Sequence, residues 1–302
     1  MGAVRQDTRT LLVTGAAGPA GRALGRQLLA RGPDDPLGVV GVDAVPASVP
    51  GFAAVESAPW ATDASYDRLM LELLARVEPD LVIPTVSEEL PRLAVLAEAA
   101  GLTGRVVVSP PGPAAVAGDK LLTMWALARQ DVAVPRHAPA DAFSSTATVL
   151  RHFDGPVVVK PRVSRGGRGV HVVQDADAKH WADFDGSWVV QAFAPGREYS
   201  PQVYRSPVTG ECVVVVLEKT ELEDGLVGNA TAVRRVSDGG AQDVADLAVR
   251  CAQALGLVGP LDMDVRRLDD GTPVVLEVNA RFGAVSAEAP EIFEALLGDW
   301  PG

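Results

Sequence analysis

Residues 274–283, VVLEVNARFG, constrain the fold of this chain more than any other stretch. Their β-branched apolar content reads as a buried strand, yet Glu277 and Asn279 sit inside it, two residues apart. On a strand, residues i and i+2 share a face, and Arg281 follows on that face if the strand continues. A carboxylate and an amide oxygen therefore project together from an element that must be covered. A charge there is costly unless something pairs with it. Two partners satisfy it: a divalent cation, for which oxygen-only ligands suit Mg²⁺, or Arg281 itself in an ion pair with Glu277. Upstream, residues 259–266 form a second strand, and Asp269-Asp270-Gly271 is a hairpin turn leading back. Antiparallel pairing brings Asp262 or Asp264 near Glu277. The separation of thirteen residues between Asp264 and Glu277 suits an opposed pair across such a hairpin.

The N-terminal part has a different rhythm. Residues 10–14, TLLVT, are a short buried strand. Gly15-Ala-Ala-Gly18-Pro-Ala-Gly21 follows, then a helical pattern to Ala30, then residues 38–43, a strand ending in Asp43. This is a βαβ unit with a Gly-x-x-Gly-x-x-Gly turn and an acid near the position of a ribose-binding carboxylate. Taken alone, it suggests NAD binding, although tight turns favour glycine for conformational reasons too. None of the three tyrosines, Tyr66, Tyr199 and Tyr204, has the lysine four residues on that a short-chain dehydrogenase requires. Residues 66–77 read as helix, 79–84 as a third strand and 105–109 as a fourth. The C-terminal ends of such strands face ligands, so Thr85, Ser87 and Glu88 are candidate substrate contacts. Ser87 alternatively caps the helix expected over 88–100. Pro110-Pro-Gly-Pro113 marks the first boundary.

A helix over 114–128 carries Asp119-Lys120, and another covers 147–152. Residues 155–161 form a strand ending in Lys160. Residues 162–169, RVSRGGRG, turn the chain into a strand over 170–173. A basic glycine-rich hairpin loop can lie over phosphates, because glycine lets backbone N–H groups approach an anion and Ser164 and the arginines add donors. It can equally be a plain surface turn. Strands follow at 188–193 and 212–217, with a turn at 207–210 between the latter and its predecessor. Residues 225–236, with Arg234 and Arg235, resist assignment, and 244–255 is a helix closed by Gly256.

The formal net charge of −12 argues against a general nucleic-acid or anionic-membrane binder. Two cysteines, Cys212 and Cys251, form no disulfide framework. With no signal-peptide pattern and no apolar run of about 18 residues, the chain reads as cytoplasmic. Residues 1–8 read as a frayed start. The four histidines, His137, His152, His171 and His180, lack metal-ligand spacing and read as structural.

Together these motifs resemble the ATP-grasp superfamily, and within it enzymes similar to the carbamoyl-phosphate-synthase large chain and the biotin-carboxylase-like carboxylate ligases. The resemblance covers nearly the whole chain. It implies an α/β fold, α+β in the C-terminal half: a Rossmann-like pre-ATP-grasp domain over 1–112, a central subdomain with the phosphate loop over 113–189, and a C-terminal subdomain with the metal site over 190–302. By the same resemblance, Lys120 contacts nucleotide phosphates and Lys160 binds phosphate and the adenine edge. Ser164, Gly166, Gly167 and Gly169 form the loop that closes over the triphosphate. Gln191, Ala192 and Phe193 are the adenine hinge, with backbone groups around Ala192 and Phe193 reading the base, and Glu198 holds the ribose. Asp264, Glu277 and Asn279 match the ligands of Mg²⁺, with Mn²⁺ as the alternative ion, and Arg281 matches the arginine that stabilises the transferred phosphoryl group. The pair Asp262/Asp264 departs from relatives with Asn or Gln in this strand. A single module excludes a full carbamoyl-phosphate synthase, and the short tail after Arg281 reads as a minimal three-part ligase.

The implied activity is ATP-dependent joining of a small carboxylate to an amine through an acyl phosphate. Arg234 is a candidate anchor for a substrate carboxylate or for the triphosphate, and Glu288 a candidate for orienting an amine. A homodimer is compatible with the sequence. A non-catalytic ATP-binding protein of the same fold and an NAD-dependent oxidoreductase are the alternatives.

Overall fold

A computed structural model describes residues 9–32, 35–164, 166–175, 181–222, 230–237 and 239–301. The expected start at 1–8, Arg165, His180 and residues 225–229 lie outside them. The first unit is β1 (Arg9–Thr14), α1 (Pro19–Arg31), β2 (Leu37–Asp43), β3 (Val55–Ser57), α2 (Tyr66–Val77), β4 (Leu81–Ile83) and α3 (Leu90–Ala99). Its sheet is parallel in the order β3-β2-β1-β4. Leu11 and Val13 pack into one core and Leu12 into another, so β1 is buried on both faces. That explains a continuous apolar run in place of alternation. The fourth strand expected over 105–109 is reduced to one bridge, Val82 with Val106. Pro110 and Pro111, without N–H groups, cannot extend it. β3 takes the fourth place instead.

Two helices lead out, α4 (Pro111–Ala117) and α5 (Lys120–Arg129). The single helix expected over 114–128 is broken at Gly118-Asp119. Asp119 is the N-cap of α5 and accepts from the backbone N–H of Leu121 (2.9 Å) and Leu122 (3.2 Å). Pro111 and Pro113, expected in a linker, lie in the first turn of α4, where proline is well tolerated.

The second unit is β5 (His137–Pro139), α6 (Thr146–Phe153), β6 (Val157–Pro161), β7 (His171–Val173) and β8 (Trp188–Ala192), with antiparallel sheet order β5-β8-β6-β7. Position 189, where the expected division falls, is inside β8, so this sheet runs on to Ala192.

The third unit is β9 (Glu198–Arg205), β10 (Cys212–Leu222), β11 (Ala230–Arg235), α7 (Gln242–Ala254), β12 (Gly259–Arg267), β13 (Pro273–Asn279) and α8 (Pro290–Asp299), with sheet order β11-β10-β9-β12-β13. Val244, Leu247, Ala248 and Cys251 bury one stripe of α7 against this sheet. Ile292, Phe293 and Leu296 of α8 pack with Leu11 and Val13 of β1, which brings the third sheet against the first unit.

Candidate active site

The hairpin β12–β13 supplies the centre of the site. Asp264 stands opposite Glu277 and Asp262 opposite Asn279. A bulge at this point leaves Leu276 out of the register, and its carbonyl accepts from Lys160 Nζ (3.0 Å) and Gln191 Nε2 (3.4 Å). β13 ends at Asn279, so Arg281 is not a strand residue. Its guanidinium nonetheless turns back over the hairpin. Nε donates to Ser87 Oγ (3.1 Å), Nη2 to Asn279 Oδ1 (3.0 Å) and Nη1 to Asp262 Oδ2 (3.3 Å). The Glu277–Arg281 pair left open by the sequence is therefore not the partnership that forms. Glu277 Oε1 faces Lys120 Nζ at 3.4 Å.

Lys219 is a member of the site that the sequence did not single out. β10 pairs with β9 so that Glu218 opposes Tyr199, and Lys219 reaches both Glu198 Oε1 and Asp264 Oδ1 at 2.6 Å. Burial alone would raise the Asp264 carboxyl, but the Lys219 ammonium outweighs it and holds it below the usual range. Arg266 Nε lies 2.7 Å from the other oxygen of Glu198, so the expected ribose acid is paired with two cations. Asp262 is held by Ser200 Oγ (2.8 Å) and Gln202 Nε2 (2.6 Å) as well as by Arg281.

The two expected lysines come from separate units and meet here. Lys160, at the end of β6, is buried, which pulls its pKa below the ordinary lysine value. Lys120 donates to the carbonyl (2.8 Å) and hydroxyl (3.3 Å) of Ser164, at the root of the glycine loop. Arg162, one residue beyond β6, grips the Asp119 carboxylate through Nε and Nη2 (2.6 Å) and so fixes the start of the helix that carries Lys120. Gly166, Gly167 and Gly169 have φ of 60°, 69° and 74°, a region that favours glycine.

Lys160, Glu198, Lys219, Asp262, Asp264, Glu277, Asn279 and Arg281 line a cavity of about 640 Å³, whereas the expected contacts Lys120, Ser164 and Gly169 stand off its wall, the first two in a small recess beside Ser87, Glu277 and Asn279. Gly166, Gly167 and Arg168 stand on one side, Gln191, Ala192 and Phe193 on another, and Thr14, Thr85 and Ser87 of the first unit on a third. The hinge differs from expectation in one respect. The N–H groups of Ala192 and Phe193 donate to Arg136 O (2.8 Å) and Pro156 O (3.0 Å), so neither is free for a base.

Several candidates stand elsewhere. Arg234 is an exposed residue of β11 bound to Glu218 (2.5 Å), and Glu288 is exposed on a short 3-10 turn; neither lines the cavity. Ser87 makes no capping bond to α3, because a 3-10 turn over Ser87–Glu89 intervenes and its hydroxyl serves Arg281 and Asn279. Glu88 is also off the wall, and its neighbour Glu89 is on it. Glu89 is buried and accepts from the hydroxyls of Thr14 and Tyr66 (2.9 Å). Burial pushes its carboxyl up to about 7. Asp43 accepts from the N–H groups of Ala17 (3.0 Å) and Val45 (2.9 Å), one to each oxygen, which opposes the ribose role considered for it.

Among the described residues no group of three or more His, Cys, Asp and Glu is arranged to hold a metal ion. Asp264, Glu277 and Asn279 supply two carboxylates and one amide. No helix among the described residues is long and apolar enough to cross a membrane.

The chain is 31% identical over 243 residues to an N5-carboxyaminoimidazole ribonucleotide synthase of Mycobacterium leprae, an alignment covering 70% of this chain and 55% of that protein. It spans between about a third and about half the length of the curated relatives it matches. The N5-carboxyaminoimidazole synthetase of Staphylococcus aureus, solved with ADP, superposes with a TM-score of 0.73 at 15% identity, over 97% of this chain and 77% of that one. An L-amino acid ligase from Bacillus licheniformis superposes with a TM-score of 0.67 at 19% identity, over 93% and 69%. At these identities the superpositions speak for the fold. Residues 117–285, more than half of the chain and the span that carries both lysines, the loop and the β12–β13 hairpin, match the model of the ATP-grasp domain, and the chain belongs to the ATP-grasp family.

Proposed function

We propose that this protein is an ATP-dependent ligase that joins a small carboxylate to an amine through an acyl phosphate. The observation that carries the reading is the meeting of Lys160 and Arg281 with Asp264, Glu277 and Asn279 around one cavity that also opens onto the first unit, with Lys120 set behind Glu277. Lys120 of α5 and Lys160 of β6, both buried, bring two cations to one end of the site, and the phosphates of a nucleoside triphosphate suit them. Lys120 and Lys160 bind the phosphates, and the Gly166–Gly169 loop covers them and excludes water, which protects an acyl phosphate from hydrolysis. Arg281, clamped on three sides, holds charge on the phosphoryl group as it passes to the carboxylate. The amine then displaces phosphate, and no nucleophilic side chain is required.

Mg²⁺ fits the donor set: oxygen ligands only, on adjacent strands, with Asp264 in register with Glu277. Asp264, Glu277 and Asn279 would hold it, and when bound it supplies charge neutralisation and alignment of the phosphates. Asp262, engaged by Ser200, Gln202 and Arg281, is left as a support for the arginine.

The test is ADP release from Mg-ATP in the presence of pooled amino acids and small carboxylates, with products identified by mass spectrometry. The expected result is carboxylate-dependent ADP formation and a product lighter by one water than its two precursors. ATP binding without ADP release from any pool would overturn the ligase reading in favour of a nucleotide-binding protein.

A further inference from the structure

The cavity has two halves of different chemistry. One holds Lys160, Lys219, Arg281 and the carboxylates of the hairpin. The other is built by the first unit, and its wall includes Ala44, Val45, Pro59, Trp60, Met70 and Val86. Val45 is 62% exposed and Trp60 51% exposed, so two large apolar side chains on this wall stand open to solvent. Apolar surface of that kind inside a concavity is the usual mark of a ligand site.

Four successive positions of the glycine turn beside it have no free N–H for a phosphate. The N–H of Ala16 donates to Val42 O (3.0 Å), that of Ala17 to Asp43 Oδ2 (3.0 Å) and that of Gly18 to Gly15 O (2.9 Å), and Pro19 has none. These positions are thereby closed to an anion. The carboxylate of Asp43 adds negative character to this half. Its cation is Arg22, an exposed residue whose Nε donates to Ala17 O (2.9 Å).

The Trp60 segment is also held in place. Trp60 N donates to Asp63 Oδ2 (3.1 Å), and Arg92 donates to the carbonyls of Ala61 (3.2 Å) and Asp63 (2.7 Å) while pairing with Asp67. A wall fixed before binding loses less on binding. Val86 adjoins Ser87, which bonds Arg281, so the apolar half abuts the phosphoryl-transfer centre.

We propose that this half takes an unphosphorylated amino acid or amine with a bulky apolar or aromatic side chain, and that Trp60 is the residue that selects it. The proposal rests on the ligase reading, and it deepens that reading by naming a substrate class. It distinguishes this chain from relatives whose names declare a ribonucleotide product.

The test separates binding from turnover. Calorimetric titration of the full chain, with and without Mg-ADP, would use L-phenylalanine, L-leucine and O-phospho-L-serine as probes. Phenylalanine and leucine are expected to bind at least about tenfold more tightly than phosphoserine. Trp60→Ala is expected to weaken phenylalanine binding about tenfold, the scale of losing an aromatic contact, with Mg-ADP affinity unchanged and Trp60→Phe restoring most of the loss. Phosphoserine binding as tightly as phenylalanine, no binding of either apolar probe, or an unaltered titration for Trp60→Ala would overturn the proposal. ADP release with a phosphorylated substrate alone would overturn it while the ligase reading stands. Trp60-dependent binding with no ADP release would sustain the selective wall and remove the ligase.

Discussion

Glu89 offers a quantitative test of how the first unit is held together. Its carboxyl is buried, and burial raises it from 4.5 to about 7 even though Thr14 and Tyr66 donate to it. Below the unfolded value of 4.5 the group is protonated in both states and its contribution to stability is fully present. As pH rises, the unfolded chain ionises first. Stability is lost through the window up to about 7 and is not regained above it. At about 1.36 kcal/mol per pH unit, the full window is worth about 3 kcal/mol, and the part between pH 5 and pH 8 about 2.5 kcal/mol. Glu89→Gln keeps the shape and removes the titration. Urea unfolding of both proteins at pH 5 and pH 8 should show the stability difference moving by about 2.5 kcal/mol in favour of the variant as pH rises, with unchanged m-values. Parallel pH dependence in the two proteins would refute the reasoning, because it would mean that water in the cavity already solvates the carboxylate.

Two further substitutions probe the hairpin. Glu277→Gln should lower ADP release at least about a hundredfold while the urea midpoint stays near that of the parent, since the charge removed serves the reaction; unchanged turnover would sink the assignment of Glu277 as a metal ligand. Lys219→Met leaves Glu198 with Arg266 but takes the 2.6 Å partner from Asp264. Because Asp264 is 28% exposed, the expected cost is at the low end for breaking a buried pair, about 3 kcal/mol in urea unfolding, and a cost well under 1 kcal/mol would mean that Lys219 does not hold that carboxylate in place.

Much of this protein is written in local pattern. The helix Tyr66–Val77 was legible because its apolar residues recur at helical spacing, and the opposition of Asp264 to Glu277 was legible because a two-residue periodicity and a hairpin turn fix it. The glycine-rich loop and the lysine before it could be located for the same reason: they are contiguous. What the pattern left out are relations between elements distant in the chain. Lys219 is one polar residue in an eleven-residue strand, and only the order β10-β9-β12 brings it between Glu198 and Asp264. Glu88 and Glu89 are indistinguishable in sequence, and the phase of a 3-10 turn decides which one lines the cavity. Arg234 carried the charge expected of an anchor, but its register on β11 commits it to Glu218. Two of the four closed positions of the glycine turn, Ala16 and Ala17, depend on where Val42 and Asp43 stand beside it. Propensity and periodicity act within a few residues of chain. Which side chains converge is decided by strand order, bulges and burial, and these exist only once the chain has packed.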